Sequence, residues 1–392
     1  MRRSVVITGS LAQRPGNGGH ASVFLQWLLG FRRLGWEVLF LDRLEPEMCI
    51  DAAGRPCSLH DSENLRYLRR VMDGFDLGNS FALLGDGGRE CVGRSREELV
   101  SQIKDADFLL NVMGFLTDEE LLAAACRRVF LDIDPGFGQM WHALGLHDLF
   151  AGHDQFVTIG ENIGRTDCLV PTCGLNWITT PQPVVLEQWP LWPKQRVAKV
   201  PQTLDFTSIV SWRGPFGPIE FEGRTFGLRV HEFRKFVALP QRTGQTFRVA
   251  LDIHPTETKD IALLQENGWQ LEDPRVAAAD PWTYREFIQN SKAEFMVAKN
   301  MYVDTRGGWF SDRSLCYLAS GKPVLAQDTG FRERYPCGEG LLAFSTLDEA
   351  TAGVEEILNN YDRHARAARR IAEELFDSDK VLATLVKSLG LD

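Results

Sequence analysis

The chain has 392 residues, which at ~150 residues per domain makes two domains, with room for a third. Apolar residues at 44% and charged residues at 24% are globular proportions and exclude a disordered chain or a coiled coil. The 43 Lys and Arg against 53 Asp and Glu leave a net charge of −10, which argues against a broad nucleic-acid-binding face but not against a local arginine pocket for phosphate.

Met1-Arg2-Arg3 has the basic start of a signal peptide, but the apolar Ser4–Thr8 stretch is too short and Gly9 follows at once. Val5–Thr8 therefore reads as a buried first strand. Ala21–Leu34 follows as a helix with Val23, Phe24, Trp27, Leu28, Phe31 and Leu34 on one face, stopped by Gly35. Val38–Leu41, Phe81–Leu84, Phe108–Val112, Val129–Ile133 and Gln155–Ile159 are further strands, with helices near Arg96–Lys104 and Asp118–Cys126. Short buried strands between amphipathic helices imply a parallel, doubly wound α/β sheet.

Six of the 18 prolines fall in Pro171–Pro201, together with Trp177, Trp189 and Trp192. Proline-rich backbone continues neither sheet nor helix, so this stretch is expected to be an extended connection packed against both domains. Alternation then resumes: strands at Ile209–Ser211, Phe247–Leu251, Glu294–Val297 and Val324–Gln327, helices at Val230–Val237, Lys259–Asn267, Trp282–Gln289 and Leu315–Ser320. The last third is helical, over Leu347–Asn359, His364–Phe376 and Lys380–Leu389. The expected boundaries are a first domain at 1–180, a connection at 181–205, a second domain at 206–360 and terminal helices at 361–392. The longest apolar runs, Val23–Phe31 and Phe108–Leu116, are about half a membrane span. Eight cysteines with no Cys-x-x-Cys pair read as reduced thiols in a cytoplasmic protein.

Several segments carry candidate chemistry. Gly9–His20, GSLAQRPGNGGH, joins a strand end to a helix start, the rim where doubly wound sheets bind ligands. Gly18 and Gly19 permit close ligand approach there. The spacing is neither the dinucleotide fingerprint nor a P-loop. His20 is a candidate base, a substrate contact or a simple helix cap. Asp132 and Asp134 stand at a strand end, on the same side by alternation; Asp134 is a candidate base for an acceptor hydroxyl or the start of the turn at Pro135. Glu161 and Asn162 follow the next strand end, as acceptor contacts or structural polar groups. In the second half, Ser311-Asp312-Arg313-Ser314 opens a helix, and its hydroxyls, arginine and free amides make a phosphate cradle. Asp312 either caps that helix or meets a sugar or ribose hydroxyl, and Arg313 is a principal charge or the partner of a nearby acid. Asp328, Thr329 and Gly330 follow the next strand. Arg213, Arg229 and Lys299 are further cations near strand ends.

Leu318-Ala319-Ser320-Gly321-Lys322-Pro323-Val324, with the opening strand, Gly-Gly, helix and Leu34–Val38, resembles the GT-B glycosyltransferases. The resemblance implies two Rossmann-like domains facing a cleft and a helical tail crossing back to the first. It also implies a nucleoside-diphosphate sugar as co-substrate, with no cofactor and no metal, and an unidentified acceptor. Retaining members often hold the diphosphate with one arginine and one lysine, at positions corresponding here to Arg213 and Arg229. The same alignment puts Gly308 and Cys316 where those members carry a glutamate pair. A nucleotide-sugar epimerase or hydrolase and a non-catalytic nucleotide-sugar-binding protein are the alternative readings. Neither an extended nucleic-acid partner nor a membrane span is expected, and the oligomeric state is not legible.

Overall fold

Residues 3–191, 205–214 and 216–391 are described by the computed structural model. Trp192 and Pro201 lie outside them. The first sheet is built from β1 (Ser4–Gly9), β2 (Glu37–Leu44), β3 (Phe81–Gly85), β4 (Glu90–Val92), β5 (Phe108–Val112), β6 (Arg128–Asp132), β7 (Gln155–Thr158) and β8 (Trp177–Thr179). Its order is β4-β3-β2-β1-β5-β6-β7-β8, parallel except for β4, which runs against β3. Val5 stands opposite both Val38 and Phe108 in register. Val5, Val6 and Ile7 are all buried, as expected for a central parallel strand covered on both faces.

The second sheet contains β9 (Phe206–Ser211), β12 (Phe247–Asp252), β13 (Trp269–Glu272), β14 (Ala293–Met296), β15 (Val324–Gln327) and β16 (Leu341–Phe344), in the order β13-β12-β9-β14-β15-β16. A separate antiparallel hairpin, β10 (Ile219–Phe221) with β11 (Arg224–Phe226), follows β9. In each sheet the strand order reverses beside the first strand, at β1/β5 and at β9/β14. Crevices at such reversals are where α/β folds bind ligands. The two units therefore match the expected pair of Rossmann-like domains.

The terminal Ser378–Ser388 helix returns to the first domain. Leu382, Leu385, Val386 and Leu389 join the core formed by Phe24, Trp27, Leu28 and Phe31 of the Gly18–Arg33 helix. Arg33 pairs with Asp379 at 2.9 Å beside them. No helix among the described residues is long and apolar enough to cross a membrane.

Some elements differ from expectation. Trp177–Thr179 is an edge strand pairing with β7, because the prolines at 171 and 181 flank it and leave its own N–H groups free to pair. Trp189 is buried in the connection and meets Tyr284 of the second domain edge-on at 6.0 Å. The Glu63–Gly74 helix was absent from the sequence reading although Ser62 caps it and Leu65, Leu68, Val71 and Met72 line its buried face. Phe137–Ala143 is a short helix whose entry depends on Gly136 at φ 106°.

Candidate active site

At the second domain's reversal, β9 and β14 pair only at Phe206↔Ala293 and Thr207↔Glu294. Beyond that point they splay, although both strands continue, and two arginines bridge the gap. The deeper one is Arg313, whose Nε donates to Glu294 Oε1 at 2.6 Å and whose Nη1 donates to the Ile209 carbonyl at 2.6 Å. The outer one is Arg229, whose Nε donates to the Val297 carbonyl at 3.0 Å and whose Nη1 donates to the Ser211 carbonyl at 2.7 Å. Arg229 thus carries its charge at the strand ends. Burial, with Arg313 nearby, holds its pKa below the usual arginine range.

This arrangement corrects the expectation for Arg313. The Glu294 carboxylate is fully buried, and the Arg313 side chain is 11% exposed. Arg313 fills a space between splayed strands that backbone pairing leaves open. Ser311 and Ser314 are likewise buried in the helix start, so the Ser311–Ser314 turn is not an open cradle. Burial raises the pKa of Asp312, which lies beside Arg313. Arg213 pairs with Glu257 on the surface, its Nη2 at 3.1 Å from Oε2, and so does not join Arg229.

Lys299, just past β14, does join it. Its Nζ lies 3.3 Å from both carboxylate oxygens of Asp134 in the first domain and donates to Tyr302 Oη at 3.3 Å. The ammonium also faces the rings of Phe137 at 4.8 Å, Tyr302 at 5.3 Å and Phe216 at 5.8 Å. Aromatic faces attract a cation at such separations. Burial, then the Arg229 charge, lowers the lysine pKa, while Asp134 opposes the shift. Below it, Gln327 accepts from the Ala298 N–H at 3.1 Å and donates to Glu232 at 2.7 Å, which anchors the turn that presents Lys299. Sequence reading missed this aromatic surround. Its legible traces are Phe137, three residues past Asp134, and Tyr302, three past Lys299.

On the first-domain side, β6 ends at Asp132, so alternation does not extend to Asp134. Asp132 turns inward, accepting from Gln139 at 2.6 Å, Thr158 at 2.8 Å and the Asp134 N–H at 3.1 Å. Burial pushes its pKa up to about 6. It therefore shapes the turn, while Asp134 faces the second domain. His20 has its backbone N–H held by Asn17 at 3.0 Å and its Nε2 within 3.0 Å of both the carbonyl and the hydroxyl of Ser10. A carbonyl only accepts, so Nε2 carries the proton and Nδ1 carries the lone pair. Burial and Arg14 lower its pKa to about 4, which keeps the ring neutral at physiological pH.

The glycine loop is occupied in a way the sequence did not reveal. The Gly18 N–H donates to the Ala278 carbonyl at 2.7 Å. A Cβ on Gly18 would stand 2.1 Å from the Asp280 carbonyl oxygen, and one on Gly19 would stand 3.2 Å from the Tyr284 ring. Gly18 admits the second domain's backbone and Gly19 its Tyr284 ring, where the sequence suggested a ligand. Asn162 is fully buried on the same seam and donates to the Arg306 and Gly330 carbonyls, each at 3.1 Å, while accepting from Arg334 at 3.0 Å. Both amide protons and one lone pair of the oxygen are committed across the domains, which corrects its assignment to substrate. Glu161 accepts from the Tyr335 hydroxyl, and burial pushes its pKa up to about 7. Asp328 caps the Gly330 N–H at 2.9 Å and pairs with Arg332 at 2.9 Å, and Thr329 bonds to the Trp309 carbonyl. That turn is thus tied to Trp309 and, through the Gly330 carbonyl, to Asn162.

Of the two positions that align with the glutamates of retaining enzymes, Gly308 is closed to a side chain and Cys316 is buried in its helix. Gly308 has φ 74°, and a Cβ there would approach Asn162 atoms to 2.9 Å. Cys316 is buried, with its thiol on the Asp312 carbonyl at 3.3 Å.

No family model matches the sequence, and no curated protein matches it. Solved structures do. Anabaena Alr3699/HepE in complex with UDP-glucose superposes with a TM-score of 0.61 at 12% identity, over 99% of each chain. An alpha-glucosyltransferase in complex with UDP gives 0.61 at 10% identity over 100% of each chain. Sucrose-phosphate synthase from Thermosynechococcus elongatus gives 0.57 at 13% identity over 99% of each chain. The chain shares the two-domain fold of these structures over 99–100% of its length.

Proposed function

We propose that the protein is a glycosyltransferase that moves a sugar from a nucleoside-diphosphate sugar to an acceptor hydroxyl. Residues 206–360 bind the donor and residues 1–180 present the acceptor. The observation that carries this reading is the meeting of Arg229 and Lys299 at the β9/β14 crevice, opposite Asp134. The likeness to structures solved with UDP and UDP-glucose supports the choice of donor class.

In this reading the departing diphosphate gains negative charge as the glycosidic bond breaks, and Arg229 and Lys299 stabilise it from fixed positions. Two cations in a site sheltered from water supply that stabilisation without a metal. Asp134 now neutralises Lys299, so the arriving phosphate takes over that pairing and frees the carboxylate to accept a proton from the acceptor. Arg14, whose charge reaches both His20 and Lys299, borders the same space from the glycine loop. A binding protein without transfer activity is the second reading, favoured by Gly308 and Cys316 at the glutamate positions.

Calorimetric titration with a panel of nucleoside diphosphates tests the assignment. Losing a charged hydrogen-bond donor costs about 1.5–3 kcal/mol, so Lys299→Ala is expected to bind about 10- to 150-fold more weakly than the parent. Absence of binding by the parent, or equal affinity in a folded variant, overturns it. Transfer of labelled sugar to an acceptor, undiminished by EDTA, then separates the enzyme from the binder.

A further inference from the structure

Strand-to-helix connections in α/β units commonly take about 2–6 residues. Between β9, ending at Ser211, and the helix starting at Arg229, this chain makes a much longer excursion that includes the β10–β11 hairpin. The excursion leaves near Gly214 at φ 86° and returns at Gly227 at φ 119°, both in the left-handed region that glycine tolerates. It emerges from the carboxyl end of the central strand, above the Arg229–Lys299 pair.

The hairpin belongs to the second domain by sequence and to both domains by packing. Asn300, next to Lys299, accepts from the Gly227 and Leu228 N–H groups at 2.7 and 3.1 Å and donates to the Thr225 carbonyl at 2.7 Å. On the other side, the Phe216 ring meets Phe137 at 4.9 Å and Trp141 at 5.1 Å, both from the first domain. Ile219 and Phe226 are buried in one cluster with Phe137 and Met140. Lys299 lies directly below: its Nζ is 5.8 Å from the Phe216 ring, and a Cβ on Gly214 would touch its Cε at 3.4 Å.

We propose that Phe216 and the β10–β11 hairpin form the cover of the donor site, with Phe216 as a positioning residue that roofs Lys299. The cover excludes water from the Lys299–Asp134 pair, which strengthens every charge interaction beneath it. It holds the ammonium between aromatic faces. What the cover encloses rests on the proposed function; the shielding of Lys299 does not.

Reductive methylation with formaldehyde, read by peptide mass spectrometry, tests the shielding directly. Lys299 in the native protein is expected to react slowly compared with exposed Lys104. Phe216→Ala is expected to speed Lys299 modification at least about tenfold, leaving Lys104 unchanged, because local opening sets the reactivity of a sheltered amine. Phe216→Tyr, which keeps the ring, is expected to restore the slow rate. Equal Lys299 rates in native and folded Phe216→Ala protein overturn the proposal, as does a native Lys299 that reacts like Lys104. Titration of both proteins with UDP separates the two readings. Faster methylation with weakened UDP binding supports the whole proposal. Faster methylation in a protein that binds no nucleoside diphosphate leaves the cover standing and removes the donor.

Discussion

Asp134 and Lys299 share one geometry but make opposite predictions. Each Asp134 oxygen is 3.3 Å from the lysine nitrogen, so Asp134 is both the nearest base for an acceptor and the nearest competitor for the diphosphate. Asp134→Asn removes the competing charge and the base together. Donor affinity is expected to hold or tighten, while labelled-sugar transfer falls by about 10²–10⁴, the range for loss of a general base. Weakened donor binding with intact turnover would assign Asp134 to donor recognition instead. His20 is a less direct candidate: Ser10 holds its Nε2 and burial keeps it neutral. Its free lone pair is on Nδ1, and the helix cap is Asn17, which accepts from the His20 backbone N–H, so His20 is not itself the cap.

Among the elements, the central strands of the second domain matter most. After Thr207↔Glu294 the β9–β14 ladder stops, and Arg313 takes the place of backbone pairing by bonding to Ile209 and Glu294. Leaving the buried Glu294 without its partner costs about 3–5 kcal/mol by the experience of other buried ion pairs. Arg313→Ala is therefore expected to melt well below the parent, while the affinity of the folded fraction for nucleoside diphosphate stays within about threefold. An unchanged melting temperature with lost nucleotide binding would return Arg313 to the donor site. The Asp312–Ala319 helix had the composition of a phosphate cradle, with hydroxyls, an arginine and free amides. Composition does not say which way a helix start faces, and here it faces the strands.

Over the whole molecule, glycines hold the two domains at close range. Gly18 meets the Ala278–Asp280 backbone, Gly136 meets Met301, and Gly308 and Gly330 meet Asn162, each too closely for a Cβ without displacement. Gly18→Ala is expected to wedge the seam open. Small-angle scattering should then show a larger radius of gyration than the parent, and donor affinity should fall because Asp134 and Lys299 separate. An unchanged scattering profile would mean that the seam yields locally and that closure does not depend on Gly18.

Much of this architecture was legible in the residues alone. Buried apolar runs such as Phe108–Val112, amphipathic helices such as Gly18–Arg33 and the turn at Gly321–Pro323 are local signals, and period and turn chemistry suffice to read them. They established the alternation, the two doubly wound sheets and the helical tail. The hairpin after β9 escaped because its strands are three residues each and gain their stability from Phe137 and Met140 in the other domain. The site divided along the same line. Asp134, Arg229 and Lys299 were recognisable as polar groups near strand ends, but their meeting was not, because it joins positions far apart in sequence across a domain seam. Arg313, Asn162, Gly18 and Gly19 looked equally chemical, and tertiary contacts engage all four. A charge or a glycine serves a ligand only where the fold leaves it facing the cleft with a partner that a ligand can replace, and that depends on what the rest of the chain packs against it.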